Sequence, residues 1–374
     1  TDLGPTIEEL MKEGQSMTIL TKQQIYQIAD VILQAGGASA SHAGIVADHL
    51  TNAHLAGYDT HGLIRIPQYL NEIKEGFVDP KAEPEVVGNH GGILQIDGHS
   101  TFGQVVATKA TEMAIEKARD HGVGLVSMGN HSHTGRIGTY PEMAAAAGMA
   151  TIVFAGWAGG QVATQAPFGG REGRLGSNPL AMGFPQTEGA PVLLDFSTSI
   201  TSEGTLRVYR NKEQELPDTW VIDRHGKPST NPNDFYDGGA QLPVGGMQGG
   251  HKGFALSLMM ALFGGLLGQI ASTPAKHARW NGSTILVIDI SRIAPLETIL
   301  AEVQKMKKYL KDTPPMDGSR GVFIPGERSA KTRQERLAQG IPVDPNTWGQ
   351  VEALFDQYGV RDQLADALTS EGNH

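Results

Sequence analysis

From about residue 92 onward, short apolar runs alternate with helical stretches, and this alternation restricts the chain to α/β architectures. Gly103–Asp120 reads as a helix with Val106, Met113 and Ala114 turned inward, ended by Gly122, and Pro141–Ala147 as a short Ala-rich one. Gly124–Met128, Ala150–Ala155, Pro191–Phe196 and Thr284–Ile290 read as buried strands. No G-x-G-x-x-G follows any of them; Gly122-Val123-Gly124 lacks the third glycine and precedes its strand. An ordinary Rossmann dinucleotide site is therefore not expected.

The first quarter is helical instead. Thr21 with Gln24 makes a capping-box pattern, and Ile25, Ile28, Val31 and Ile32 form one apolar face before Gly36-Gly37 stops it. Ser41 is placed to cap a second helix with Val46, Leu50 and Ala53 as its stripe, and Ile66, Leu70 and Ile73 suggest a third. Leu296–Leu310 and the segment around Val351–Tyr358 make the tail helical again, while the polar, Pro-rich stretch Pro217–Asp237 reads as a surface excursion.

Bulk properties exclude several chemistries. The 374 residues hold no cysteine, which removes disulfides, thiolate metal sites, iron–sulfur clusters and Cys nucleophiles. A formal net charge of −10 disfavours nucleic acid or an anionic membrane as partner. No apolar run approaches the roughly 18 residues of a membrane span; Gly253–Leu267, broken by glycines, reads as a buried helix. Residues 1–16 lack the layout of a signal peptide, and Met17 has the look of a natural start, so 1–16 read as a leader or extension and a cytoplasmic address is expected.

Five segments could carry chemistry. In Asp59-Thr-His61-Gly-Leu-Ile-Arg65-Ile-Pro67, Arg65 can grip a carboxylate through two parallel hydrogen bonds while His61 moves a proton at a nearby oxygen. Pro67 is tolerated only in a helix's first turn, which puts His61 in the entry loop; the bland alternative is a capped turn with a surface Arg. Asn130-His131-Ser132-His133-Thr134-Gly135 ends a strand, where α/β proteins build sites, although histidines there also serve as hydrogen-bonding scaffolding. Ala166–Leu180 combines glycines with Arg171 and Arg174 as an anion loop would, or as an ordinary connection does. Leu193-Leu194-Asp195-Phe196-Ser197-Thr198-Ser199 ends a strand on a carboxylate and hydroxyls, suited to orienting an imidazole, binding a ribose, or simply capping a helix. Gly249-Gly250-His251-Lys252-Gly253 could hold a phosphate at a helix N-terminus.

In this order and register, these segments resemble the malate/L-lactate dehydrogenase family, NAD(P)-dependent oxidoreductases unrelated to the Rossmann-fold lactate dehydrogenases. The resemblance runs from about Leu20 to about Leu354. The family's S-H-G-x-x-R element matches His61-Gly62 and Arg65, with Thr60 in place of Ser, and its N-x-x-H-x-G element matches Asn130, His133 and Gly135. The resemblance implies His61, or alternatively His133, as the acid–base residue and Arg65 on the substrate carboxylate. Asp195 is expected to orient one imidazole, and Tyr69 to join Arg65 in binding substrate. It further implies NAD or NADP held by Ser177, Asn178, Pro179, Leu193, Leu194, Asp195, Phe196, Ser197, Thr198, Ser199, His251, Lys252, Gly326, Glu327 and Arg328. The chain departs where relatives read Thr-Asn-Ser and it has Ala155-Gly156-Trp157, and where His251 replaces a frequent Trp.

The implied fold is a non-Rossmann central mixed-sheet cofactor domain, residues 79–291, with a helical dimerisation domain from 17–78 and 292–374. The implied reaction interconverts a small 2-hydroxy acid and its 2-oxo acid, with a homodimer as the working unit. Alternatives are reduction of a cyclic imine (piperideine- or pyrroline-2-carboxylate) and, more distantly, a metal-dependent hydrolase using His131 and His133. No resident metal is expected.

Overall fold

A computed structural model describes residues 17–156, 163–211, 213–270 and 281–369. Strand β1 (Thr18–Leu20) leads into α1 (Lys22–Ala35), which Thr21 and Gln24 start with the reciprocal capping box their spacing predicts. Helix α2 (Ala40–Leu55) is capped by Ser39 rather than Ser41, because Ser39 keeps extended backbone while Ser41 already lies in the first turn. Two 3-10 turns, Asp59–His61 and Leu63–Arg65, then deliver the chain into α3 (Ile66–Lys74), with Pro67 in its first turn.

A hairpin of β2 (Glu85–His90) and β3 (Ile93–Asp97) follows, then α4 (Gly103–His121), β4 (Val123–His131), α5 (Thr139–Ala146), β5 (Ala150–Gly156), β6 (Leu180–Phe184) and β7 (Val192–Phe196). The Pro-rich excursion carries structure of its own. After α6 (Glu203–Asn211), strands β8 (Val221–Ile222), β9 (Pro228–Ser229) and β10 (Ala240–Gln241) form a small sheet beside α7 (Pro232–Tyr236). Helix α8 (Gly246–Met260) runs through a π segment (Ala261–Leu266) into α9 (Leu267–Ile270). Strand β11 (Asn281–Ile288), α10 (Leu296–Lys311), α11 (Glu327–Gln339), β12 (Ile341–Val343), α12 (Pro345–Gln357) and α13 (Arg361–Thr369) complete the chain.

The main sheet has seven strands in the order β2-β3-β4-β11-β5-β6-β7. Only β3 and β4 pair in parallel; every other neighbouring pair is antiparallel. This mixed order is not a doubly wound sheet, in agreement with the missing glycine fingerprint. One apolar cluster (Ile25, Ile32, Leu50, Leu63, Phe355 and their neighbours) lies under the helices of both chain ends. A second (Ile96, Val106, Val126, Val153, Ile285 and others) lies between α4, α5 and the sheet. The expected burial of Gly253–Leu267 does not hold: Leu258, Met259, Leu262, Phe263, Leu266 and Leu267 are each about two-fifths exposed along one helical row. No described helix is long and apolar enough to cross a membrane.

Candidate active site

The His61–Arg65 segment is fixed from behind by residues of α2 and α11. His54 accepts the Leu63 amide at Nε2 (2.9 Å), so its proton is on Nδ1, which donates to Asp59 Oδ1 at 2.7 Å. Arg336 closes the array with a bidentate pair to Asp59, 2.6 and 2.9 Å, and a bond to the His54 carbonyl. Only glycine fits at 62, since a Cβ there would fall 2.1 Å from His54 Nε2. Arg65 is tied by its Nε to the Thr60 carbonyl (2.7 Å) and by Nη1 to Gln68 (2.9 Å). Among the described residues no carboxylate lies within ion-pair distance of it.

The facing wall is the end of β4. Asn130 adopts left-handed backbone (φ 53°) and donates its amide to buried Asp97 at 2.8 Å, turning the chain into the His131–Gly138 loop. His133 comes to lie beside His61, their rings 5.6 Å apart and nearly parallel at 24°. Tyr69 Oη is 2.9 Å from His133 Nδ1 and accepts from Gln104 at 2.7 Å, which leaves the phenol proton for the imidazole. Tyr69 is fully buried, and its hydroxyl orients His133. Thr60 Oγ1 is 3.0 Å from His61 Nδ1, and the Nε2 atoms of both His61 and His133 are without a hydrogen-bond partner among the described residues.

Asp195 stands elsewhere than expected. Its carboxylate accepts from the Gly138 amide at 3.1 Å and lies 3.4 Å from Arg136 Nε, with no bond to either imidazole. Arg136 is 2 % exposed, salt-bridged to Glu142 at 2.9 Å and stacked over Tyr58 at 4.8 Å. Glu142 also meets Arg333 of α11. The Arg136 amide donates to His49 Nε2 at 2.8 Å, and Gly135 (φ 70°) leaves room for that ring.

The electrostatics of this pocket are cationic. Burial first, then Arg65 and Arg136, lower the His61 pKa to about 3. His49 is lowered to about 3 by burial, His61 and Arg136, and His133 is pushed well below its ordinary value by burial and Arg65. Burial raises Asp195 despite Arg136. Asp59 goes the other way: burial opposes its ionisation, but hydrogen bonds from His54 and Arg336 outweigh it and hold the carboxyl well below the usual range. All three imidazoles are therefore neutral near pH 7.

The remaining predicted segments gather on and around β7. The hydroxyls of Ser197 and Thr198 both reach the Ser177 carbonyl at 3.0 Å, and Thr198 also reaches that of Asn178. Asn178 (φ 36°), flanked by Pro179, donates to Ser257 of α8. Leu193 bonds the Pro325 carbonyl, which brings Gly326, Glu327 and Arg328 against the strand that carries Leu194 and Phe196. A cavity of about 250 Å³ lies there, lined among others by Pro191, Val192, Lys307, Pro325, Gly326 and Glu327. Ser199 turns away to the Thr201 carbonyl. His251 and Lys252 are exposed but do not open their helix; α8 begins five residues earlier, at Gly246, so a phosphate on free N–H groups at 251–253 is ruled out. Arg171 and Arg174 are exposed and pair with Glu172, away from any anion loop. Trp157 lies outside the described residues. His131 Nδ1 faces the Ser132 carbonyl while His133 faces Tyr69, and no described group of His, Asp and Glu could hold a metal.

Sequence reasoning missed His49, His54, Arg136 and Arg336. The His42, His49 and His54 spacing on one helix was a signal, because three buried histidines on an amphipathic element demand partners. Arg336, far along the chain, gave none.

This is a dehydrogenase fold with a non-Rossmann sheet, and comparison with known proteins gives the same class. The chain belongs to the malate/L-lactate dehydrogenase family, whose sequence profile matches residues 20–352, and it is accordingly an oxidoreductase. It is 32% identical over 356 residues to hydroxycarboxylate dehydrogenase B of Escherichia coli K12, covering 93% of this chain and 97% of that protein. Other relatives are named malate, L-lactate and L-sulfolactate dehydrogenase. Malate dehydrogenase from Entamoeba histolytica superposes with TM-score 0.85 at 26% identity, covering 92% of this chain and 99% of that one. Δ1-piperideine-2-carboxylate reductase from Pseudomonas syringae superposes with TM-score 0.77 at 26% identity, covering 90% and 99%.

Proposed function

We propose that the protein oxidises a small 2-hydroxy acid, or reduces the matching 2-oxo acid, with a nicotinamide cofactor. One observation carries the reading: Arg65, with no carboxylate in ion-pair reach among the described residues, shares a short turn with His61, whose ring lies against that of His133. Arg65 binds the substrate carboxylate. His61, neutral in the empty site, takes the hydroxyl proton at Nε2 during oxidation and returns it to the oxygen during reduction. A carboxylate on Arg65 offsets one of the positive charges that depress His61, so substrate binding raises its basicity. His133, aimed by Tyr69, is the second group that can reach the same oxygen.

The residues fit a nicotinamide dinucleotide. The cavity is lined by Gly326 and Glu327, both expected to contact the dinucleotide, and exposed Lys252 suits a phosphate as a point charge. When bound, the nucleotide supplies or accepts the hydride at the substrate carbon. Asp195 and Glu142 hold Arg136 behind the histidines, and Asn178, Thr198 and Ser257 shape the strand-end floor. The similarity to a piperideine-2-carboxylate reductase supports a second reading, reduction of a cyclic imine by the same geometry. The exposed apolar row on α8 and its π segment supports a homodimer.

The experiment is a spectrophotometric screen of NADH and NADPH against glyoxylate, pyruvate, oxaloacetate, sulfopyruvate and the two cyclic imines. Turnover of an oxo acid above the imines is expected. Oxidation of neither nucleotide with any of them would end the proposal.

A further inference from the structure

Asp59 is about half exposed and stands next to the proposed chemistry. Both of its oxygens are engaged: Oδ1 by His54 Nδ1 and Arg336 Nη1, Oδ2 by Arg336 Nη2. Its effect passes through His54. An imidazole has one proton to share between two nitrogens, and Asp59 claims it at Nδ1, which forces Nε2 to remain an acceptor. That acceptor takes the amide of Leu63, midway between His61 and Arg65 and at the junction of the two 3-10 turns. Were the proton on Nε2, two N–H groups would face each other at 2.9 Å and the junction would have to open. The ring also fills the space at Gly62 that any side chain would need.

Arg336 in turn belongs to α11, which starts at Glu327 beside the cavity. The helix rises about 1.5 Å per residue, so one rigid element spans from the expected nucleotide side to Asp59. Arg333, on the same helix, braces Asn52 and Glu142 on the way.

We infer that Asp59 is a positioning residue: held by Arg336, it locks the His54 tautomer and thereby the spacing of His61 and Arg65. The inference rests on reading those two as the proton and carboxylate groups. The test uses the full chain with Asp59→Asn, Arg336→Met and Arg336→Lys. Asp59→Asn and Arg336→Met should each lower kcat/KM about 100-fold, the loss that a misplacement near 1 Å brings. KM for the acid should rise and kcat should fall together, because one turn carries both groups. Nucleotide affinity, read by NAD(P)H fluorescence, should stay the same. Arg336→Lys, which restores one charge contact without the fork, should recover part of the loss.

Hydrogen exchange supplies a readout that needs no turnover: the Leu63 amide should lose protection in Asp59→Asn while the core of α1 keeps its own. Unchanged Leu63 exchange, or kcat and KM both near wild type with only a lower Tm, would overturn the inference and leave Asp59 a plain brace. Should Asp59→Asn fail to fold, Arg336→Lys decides by the same readouts. A wild-type enzyme inactive on every acid defeats the dehydrogenase reading alone, since the exchange experiment still scores the tautomer lock.

Discussion

The two walls of the site are built on opposite principles. On the His61 side, side chains are held by other side chains: His54 and Asp59 under the turn, Tyr69 and Gln104 on His133, Glu142 and Asp195 on Arg136. On the proposed nucleotide side, His251 and Lys252 are exposed, and the surrounding order comes from backbone carbonyls receiving the hydroxyls of Ser197 and Thr198. The difference fits what each wall is proposed to do. Proton transfer tolerates little misplacement, so its groups are held before substrate arrives. A long cofactor distributes its binding over many weak contacts, and no one of them needs such support.

That contrast predicts unequal losses. His61→Gln keeps the size of the side chain but not its proton chemistry, and should lower kcat by about 100- to 10,000-fold with the NAD(P)H dissociation constant unchanged in a fluorescence titration. A loss of less than tenfold would move the proton to His133. Arg65→Ala comes next. Losing a charge-assisted bond to the carboxylate costs about 1.5–3 kcal/mol, to be read as a rise in KM for the acid of roughly 10- to 150-fold in steady-state kinetics. Lys252→Ala should be milder, about tenfold or less in the cofactor KM with kcat retained, because an exposed charge is screened by solvent. If Lys252→Ala proves more damaging than Arg65→Ala, the comparison of the walls is wrong.

The same contrast explains what could be read from the sequence. The helices of the first quarter announce themselves through capping and periodicity, and Thr21 with Gln24 forms the box their spacing predicts. The mixed sheet was expected only through family resemblance, since β3 pairing parallel to β4 and β11 inserting between β4 and β5 are long-range choices. His61, Arg65 and His133 were visible as motifs. The contact of Tyr69 with His133 was not, because nothing local in the sequence says which side chain a Tyr four residues after an Arg will meet. Asp195 misled for a related reason: a carboxylate at a strand end suits an imidazole or an arginine equally, and Arg136, 59 positions earlier in the chain, takes it here. His54 and Arg336 meet only because α11 folds back across α2, which no local pattern encodes.

The smallest expected effect probes the histidine wall through stability. His49 has an ordinary pKa of 6.5 when unfolded and about 3 when buried beside His61 and Arg136. At pH values above 6.5 it is neutral in both states and stability is at its full value. Between 6.5 and about 3 the unfolded chain binds the proton and the folded one does not, so stability falls as the pH drops and levels off only below that window. His61 and His133 shift in the same direction and add to the slope. Melting temperature measured from pH 7 to pH 4 should therefore decline, and His49→Gln, whose amide oxygen can still accept the Arg136 N–H, should show a shallower decline by a few degrees. A His49→Gln curve parallel to wild type would mean that His49 is already protonated in the folded protein, and the cationic pocket would then contain a charge that its hydrogen bond from Arg136 forbids.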